Sequence, residues 1–484
     1  MFLKLYKTPL LLVLASLLFY AVFAYHLLRT DYVKLLILYA GLFFLFYKLV
    51  LLLKGNIKLL SWFAFGFRVV FILAIPNLSQ DFYRFIWDGR MLLEGYNPYL
   101  FTVASFIGNN EFPVAQAQEL YEGMGVLNAG HFSNYPPLNQ LCFVIAGVFS
   151  GSSILGSAMV MRLLIIAADF GTLHFGKKLL EKLNLPVYLI FWYVLNPFII
   201  IELTGNLHFE GVMIFFLIWS LYLLHIGKWQ FAAVVLGLSV SVKLIPLIIL
   251  PLYWQWFTSK NNDDDEMLKQ VQHDEKEIAT SLTPRNDAIN GMTKLISFYA
   301  IVFITIIALF LPFYSSEFIT NYTDTVALWF NNFEFNASLY YIARAIGYTF
   351  RGYNEIAVIG SAIPIIVIAF VLLLTFFRTN RNTVQLITAM VLALSFYFFT
   401  TTTVHPWYIA TLLILSVFTT YKFPLVWSFV IILSYLAYVN VDKADKSENL
   451  WIIALEYAIV YGVFIWEVFF KKKEALKKTS LFNG

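Results

Sequence analysis

Apolar residues in this 484-residue chain are gathered into runs of about twenty, the length a helix needs to cross the hydrocarbon of a bilayer. The runs fall at 9–28, 33–53, 59–78, 186–203, 208–226, 295–313, 356–377, 384–403, 406–421, 424–440 and 450–470. Two further apolar regions, 137–176 and 229–256, divide less readily. Lipid offers no partner to a backbone N–H or C=O, so each run must satisfy its own and is read as a helix. The expected fold class is therefore an all-α polytopic membrane helix bundle of about twelve to fourteen transmembrane helices, with interfacial helices in the first large outer loop. Sixty per cent hydrophobic against thirteen per cent charged residues excludes a soluble domain, whose surface would carry large apolar patches. The chain 1–484 is read as one integral-membrane domain, and the run 9–28 as an uncleaved first helix.

Charge placement orients the bundle. With Lys4 and Lys7 in the cytoplasm, Lys54 and Lys58 fall there too, and the third helix delivers 79–136 to the outer face. Counting back from the Lys471–Lys473 cluster puts Lys422, Arg378 and Arg381 inside and His405 outside. Lys228 and the polar insertion 257–294 both belong inside, so the segment between them rises and returns near Ser241–Pro246, placing Lys243 near the outer side. Region 137–184 breaks this parity, because Lys177, Lys178 and Lys182 ask for the cytoplasm while two helices fit upstream; one of them is expected to be re-entrant or short. The net charge of +4 sits mainly beside the apolar runs and argues for no nucleic-acid partner. A single cysteine, Cys142, forms no internal disulfide, and the acidic run Asp263–Glu266 reads as a solvated linker.

Polar residues that resist this pattern are the functional candidates. The first outer loop, 79–136, is long, and loops of that length tend to be functional. It opens directly after a helix with Asp81, so that carboxylate is expected where membrane meets water. If 81–94 is an interfacial helix, Asp81, Arg84 and Asp88 share one face, with Phe82, Phe85 and Ile86 available to lipid; surface ion pairing is an equally good account. Arg90 follows two residues later, Gly95–Tyr99 reads as a turn, and His131 and Tyr135 precede Pro136-Pro137, as substrate contacts or aromatic-belt anchors. Glu202, Thr204, Asn206, His208 and Glu210 form a polar cluster in a long apolar region, where ionisable groups are costly and either functional or part of a structural network. The spacing of His208 and Glu210 is not that of a zinc motif, so no metal ligands are assigned. Lys243 has apolar sequence neighbours and must meet an anion, a lipid phosphate or an acidic helix. Arg162 and Asp169 are two turns apart and are expected to make a structural contact within the bundle. These clusters, with His405, reach one side of the membrane, which points to an outward-facing cavity.

The run Gln80–Arg90, with Gly95–Tyr99, Tyr135–Leu138, Leu195-Asn196-Pro197, Gly205–His208, Val242–Pro246 and His405–Tyr408, resembles the GT-C superfamily of polytopic glycosyltransferases, bacterial mannosyltransferase-like members above all. The likeness keeps its order over about residues 60–420. It implies a polyprenyl-phosphate-linked sugar as donor, a glycan or glycolipid as acceptor, inversion at the anomeric carbon, and an active site facing the exterior of a bacterial inner membrane. Carried over by motif, the general base would be Asp81, with Asp88 as fallback. Arg84, Arg90 or Lys243 would stabilise the departing phosphate, while His208, Glu210 and His405 would shape the sugar or acceptor pocket. Several relatives have a second acid where this chain has Gln80, which leaves a divalent metal neither required nor ruled out. A transporter or flippase of lipid-linked saccharides, or a noncatalytic membrane subunit, would also need many helices and buried charge.

Overall fold

The computed structural model describes residues 7–259, 283–440 and 448–471. Its chain begins with three helices, α1 (Lys7–His26), α2 (Tyr32–Leu53) and α3 (Ile57–Val69). Three short ones fill the loop that follows: α4 (Asp81–Leu93), α5 (Val103–Gly108) and α6 (Ala117–Ala129). Next come α7 (Pro137–Ser150) and α8 (Ile154–Lys182), then the broken pair α9 (Val187–Val194) and α10 (Pro197–Gly205). A hairpin of α11 (Glu210–His225) and α12 (Trp229–Val240) leads to the partly 3₁₀ helix α13 (Ile245–Thr258). Beyond the polar insertion run α14 (Asn290–Phe313), α15 (Ser316–Asn331), α16 (Leu339–Arg351), α17 (Ile356–Phe377) and α18 (Thr383–Thr400). The last are α19 (Pro406–Ser416), α20 (Phe423–Ala437) and α21 (Leu450–Phe470).

Seven of these helices are long and apolar enough to span a bilayer, and α9 with α10 makes an eighth if the bent pair is one span. The expected twelve to fourteen is reached when the six shorter apolar helices are added to these. Among the described residues there is no named strand; one isolated bridge joins Phe335 to Thr403. Helix starts follow local chemistry: Asn56, Ser153 and Asn382 each turn a side-chain oxygen onto an N–H of the first turn of α3, α8 and α18. The chain turns at Ser241–Leu244 between α12 and α13, as the charge pattern expects, and the short helix of region 137–184 is α7, with 14 residues. Of the insertion 257–294, residues 260–282 lie outside the described residues.

Packing corrects one expectation and gives Arg162 and Asp169 their structural contacts within the bundle. Phe82, Phe85 and Ile86 do not face lipid; each is 1–2 % exposed, because α4 is laid across α7. Gly89 makes that crossing close: a Cβ there would stand 2.3 Å from the Phe143 carbonyl oxygen. Arg162 and Asp169 do not pair with each other. Asp169 accepts from Arg68 Nε of α3 at 2.8 Å, both side chains being wholly buried. Arg162 instead donates to the carbonyls of Ile72, Thr204 and Gly205.

Those two arginines hold the break that shapes the site. Pro197 has no N–H to continue α9, and the axis bends by 47°. Asn196 Oδ1 caps the new helix by accepting from Phe198 N at 2.9 Å, while Arg68 donates to the buried Val194 carbonyl at 2.8 Å. At the far end Arg162 gives the last carbonyls of α10 a cationic partner. Leu207 then adopts φ 64°, a left-handed conformation rare for a bulky residue, and this turn delivers His208 and Glu210 to the start of α11.

Candidate active site

Four of the residues singled out in the sequence line one cavity of about 500 Å³: Asp81, Tyr135, Lys243 and His405. Asp81 opens α4, Tyr135 precedes the Pro136-Pro137 start of α7, Lys243 sits in the turn before α13, and His405 precedes α19. Residues spread over 324 positions of chain (405 minus 81) thus meet in one space.

Three more stand directly behind its wall. Glu210 is fully buried and its carboxylate lies 2.8 Å from Lys243 Nζ, so the cation is anchored from beneath; Nζ also sits 5.6 Å from the centre of the Tyr135 ring. Asn206 Oδ1 accepts from Leu78 N at 3.1 Å, tying the end of α10 to the segment that leads into Asp81. His208 stacks on Trp407 at 3.6 Å between ring centres, and His405 stacks on the same indole at 4.6 Å. The indole stacks with both imidazoles and itself lines the cavity. Phe335 continues the stack beyond His405, where the bridge to Thr403 clips two outer segments together. Deeper, Glu202 accepts from Tyr435 Oη at 2.9 Å and lies 3.9 Å from His208 Nε2.

The remaining candidates lie away from the cavity. Asp88 is wholly buried, and its oxygens accept from Arg84 Nε at 2.6 Å, Ser133 Oγ at 2.5 Å and Gln140 Nε2 at 3.1 Å. Arg84 also donates to the Asn128 and His131 carbonyls, and Arg90 to the Ala115 carbonyl at 2.6 Å. These contacts knit the loop 79–136 onto α4. The His131 ring is partly buried, which with the Arg84 charge pushes it down to about 4 and leaves it neutral.

Asp81 differs from Asp88 in chemistry as well as place. Burial pushes its carboxyl up to about 6, against the pull of Lys243 and with a further push from Glu210. A carboxylate near that value is ionised at neutral pH yet basic enough to take a proton. Burial and the Lys243 charge push His405 down to about 3, so it presents a neutral ring. Among the described residues no group of three His, Cys, Asp or Glu side chains is arranged to hold a metal ion. The donor set at the cavity, the Asp81 carboxylate beside the Lys243 ammonium, does not fit a divalent ion.

Sequence reasoning missed several wall residues. Trp407 and Tyr408 were in view only as neighbours of His405, and Arg29, Phe333 and Tyr397 carried no signal beyond being polar or aromatic near an apolar run. The fold and the cavity together define a polytopic membrane protein whose polar residues converge on one cavity. Residues 14–258, just over half of the 484, match the model of the family described as alpha-(1->6)-mannopyranosyltransferase, N-terminal domain, and the chain belongs to that family. It is also 24% identical over 229 residues to the Alpha-(1->6)-mannopyranosyltransferase A of Mycobacterium tuberculosis; the match covers 43% of this chain and 42% of that relative. The wall formed by Phe333, Tyr397, His405 and Trp407 lies beyond the stretch that matches the family model.

Proposed function

We propose that this protein is a membrane glycosyltransferase that moves mannose from a polyprenyl-phosphate sugar to a glycan or glycolipid acceptor, at the outer face of a bacterial inner membrane. One observation carries the reading: a partly buried carboxylate, Asp81, and an anchored ammonium, Lys243, line the same cavity in a chain of this family. In the proposed step the acceptor hydroxyl gives its proton to Asp81, and its oxygen attacks the anomeric carbon from the side opposite the phosphate. The bond from that carbon to the phosphate oxygen breaks, the phosphate keeps the electron pair, and the configuration inverts. Lys243 stabilises the charge that grows on the leaving phosphate. His405 and Trp407 line the space that the sugar ring would enter. Asp88 is assigned to holding the loop, since three donors already occupy it.

The test is transfer of radiolabelled mannose from synthetic polyprenyl-phosphate mannose to a lipid-linked mannoside acceptor in proteoliposomes. Transfer by the wild type that collapses in Asp81→Asn supports the reading. Movement of the labelled lipid between leaflets with no new glycosidic bond would replace it with a flippase.

A further inference from the structure

The connection 27–31 between α1 and α2 belongs to none of the sequence motifs, yet its Arg29 is partly buried and lines the cavity that holds Asp81 and Lys243. Its place there is built. Asn77 Nδ2 donates to the Phe23 carbonyl at 2.7 Å and the Leu27 carbonyl at 3.2 Å, stitching the tip of the first hairpin to segment 77–80. Leu27 is itself 4 % exposed, and Asp31 N closes the turn on the Leu28 carbonyl at 2.9 Å. The next residue of that segment, Leu78, is held by Asn206. Hairpin tip, Asp81 and α10 are therefore fixed relative to one another through two asparagine side chains.

Charge gives the placement a purpose. Lys243 is shared between two carboxylates, touching Glu210 at 2.8 Å and acting electrostatically on Asp81. Two carboxylates against one ammonium leave a net negative charge, which would repel a phosphodiester arriving at the cavity. Among the described residues that line the cavity, Arg29 is the other cation besides Lys243. The need grows during transfer, when the phosphate passes from one negative charge to two. A planar guanidinium with several N–H donors suits phosphate oxygens well.

We propose that Arg29 is the second cation of the donor subsite, contacting the lipid phosphate beside Lys243, and that Asn77 is the positioning residue that holds its hairpin against the Asp81 segment. This rests on the polyprenyl-phosphate reading of the cavity. Asn77 acts only through the loop it ties, and Arg29 touches the ligand.

The experiment measures binding of farnesyl phosphate and of farnesol to the full-length protein in nanodiscs, read by tryptophan fluorescence, for wild type, Arg29→Gln and Arg29→Lys. Loss of one charge-assisted contact should weaken farnesyl phosphate about tenfold in Arg29→Gln. Arg29→Lys should restore most of that loss, and farnesol should bind all three proteins alike. Equal farnesyl phosphate affinity in wild type and Arg29→Gln overturns the proposal and leaves the transferase reading standing. Equal weakening of both ligands also overturns it, since that is a structural effect. If the wild type binds no farnesyl phosphate at all, the donor reading fails and this one with it.

Discussion

Lys243 and Glu210, 33 residues apart in sequence (243 minus 210), form an ion pair of 2.8 Å that joins the turn before α13 to the first turn of α11. The carboxylate is wholly buried while the ammonium keeps 19 % exposure to the cavity. A buried acid anchors a cation that still faces the substrate space.

Removing the cation alone should therefore harm stability as well as activity. Lys243→Met strands a buried carboxylate and is expected to cost about 3 kcal/mol. Adding Glu210→Gln should recover most of the thermal stability but none of the transfer activity. Thermal unfolding of the two purified variants in one detergent checks this.

Asp81 and Asp88 lie two turns apart on α4 and should behave oppositely. Asp81→Asn is expected to lower kcat by about 10²–10⁴-fold with little change in unfolding temperature. Asp88→Asn leaves the buried Arg84 guanidinium without its counter-ion, and should destabilise the protein by about 3 kcal/mol. Parallel melting curves and transfer rates separate the two.

Activity should have an acid limb set by Asp81. Its working form is the carboxylate, so with the carboxyl near 6 the rate is full above that pH and falls about tenfold per unit below it. Lys243 holds the carboxyl down, so Lys243→Met should move the limb to higher pH. A pH profile of kcat/KM for wild type and for the residual activity of the variant measures the shift; a limb unmoved by the substitution would remove Asp81 from this role.

Gly89→Ala tests the crossing of α4 over α7. The added methyl would meet the Phe143 backbone, which cannot move as a flexible side chain can. Overpacking of this kind costs about 1–3 kcal/mol. Since Asp81 rides on the same helix, reduced transfer should accompany the lower melting temperature. Gly147→Ala on the facing helix would meet only the Leu93 side chain and should be milder.

Helix positions were legible because they depend on properties local in sequence. Runs such as 33–53 and 356–377 are long enough to cross lipid and return as α2 and α17 nearly residue for residue. The turn at Ser241–Leu244 followed from the lysines on either side of it, and the helix at 81–93 from the spacing of its polar residues. Residues of the first loop were harder to sort. Asp81, Arg84 and Asp88 share a helix face in sequence, yet one opens onto the cavity and the other two form a buried pair. What separates them is the depth at which α7 and the 128–133 segment cover the helix, which spacing does not encode.

By itself the sequence determined that this is a bundle of lipid-spanning helices, because the length and polarity of a run decide its solvent without reference to any other run. Its motifs also brought Asp81, Tyr135, Lys243 and His405 into view. Tertiary structure alone decided who partners whom: Asp169 with Arg68 and not Arg162, Glu210 with Lys243, His405 and His208 both stacked on Trp407, and Arg29 in the cavity wall. The physical reason is range. Hydrophobic transfer acts on each segment separately, whereas ion pairs, stacking and capping act over a few ångströms between groups that only the packed chain brings together.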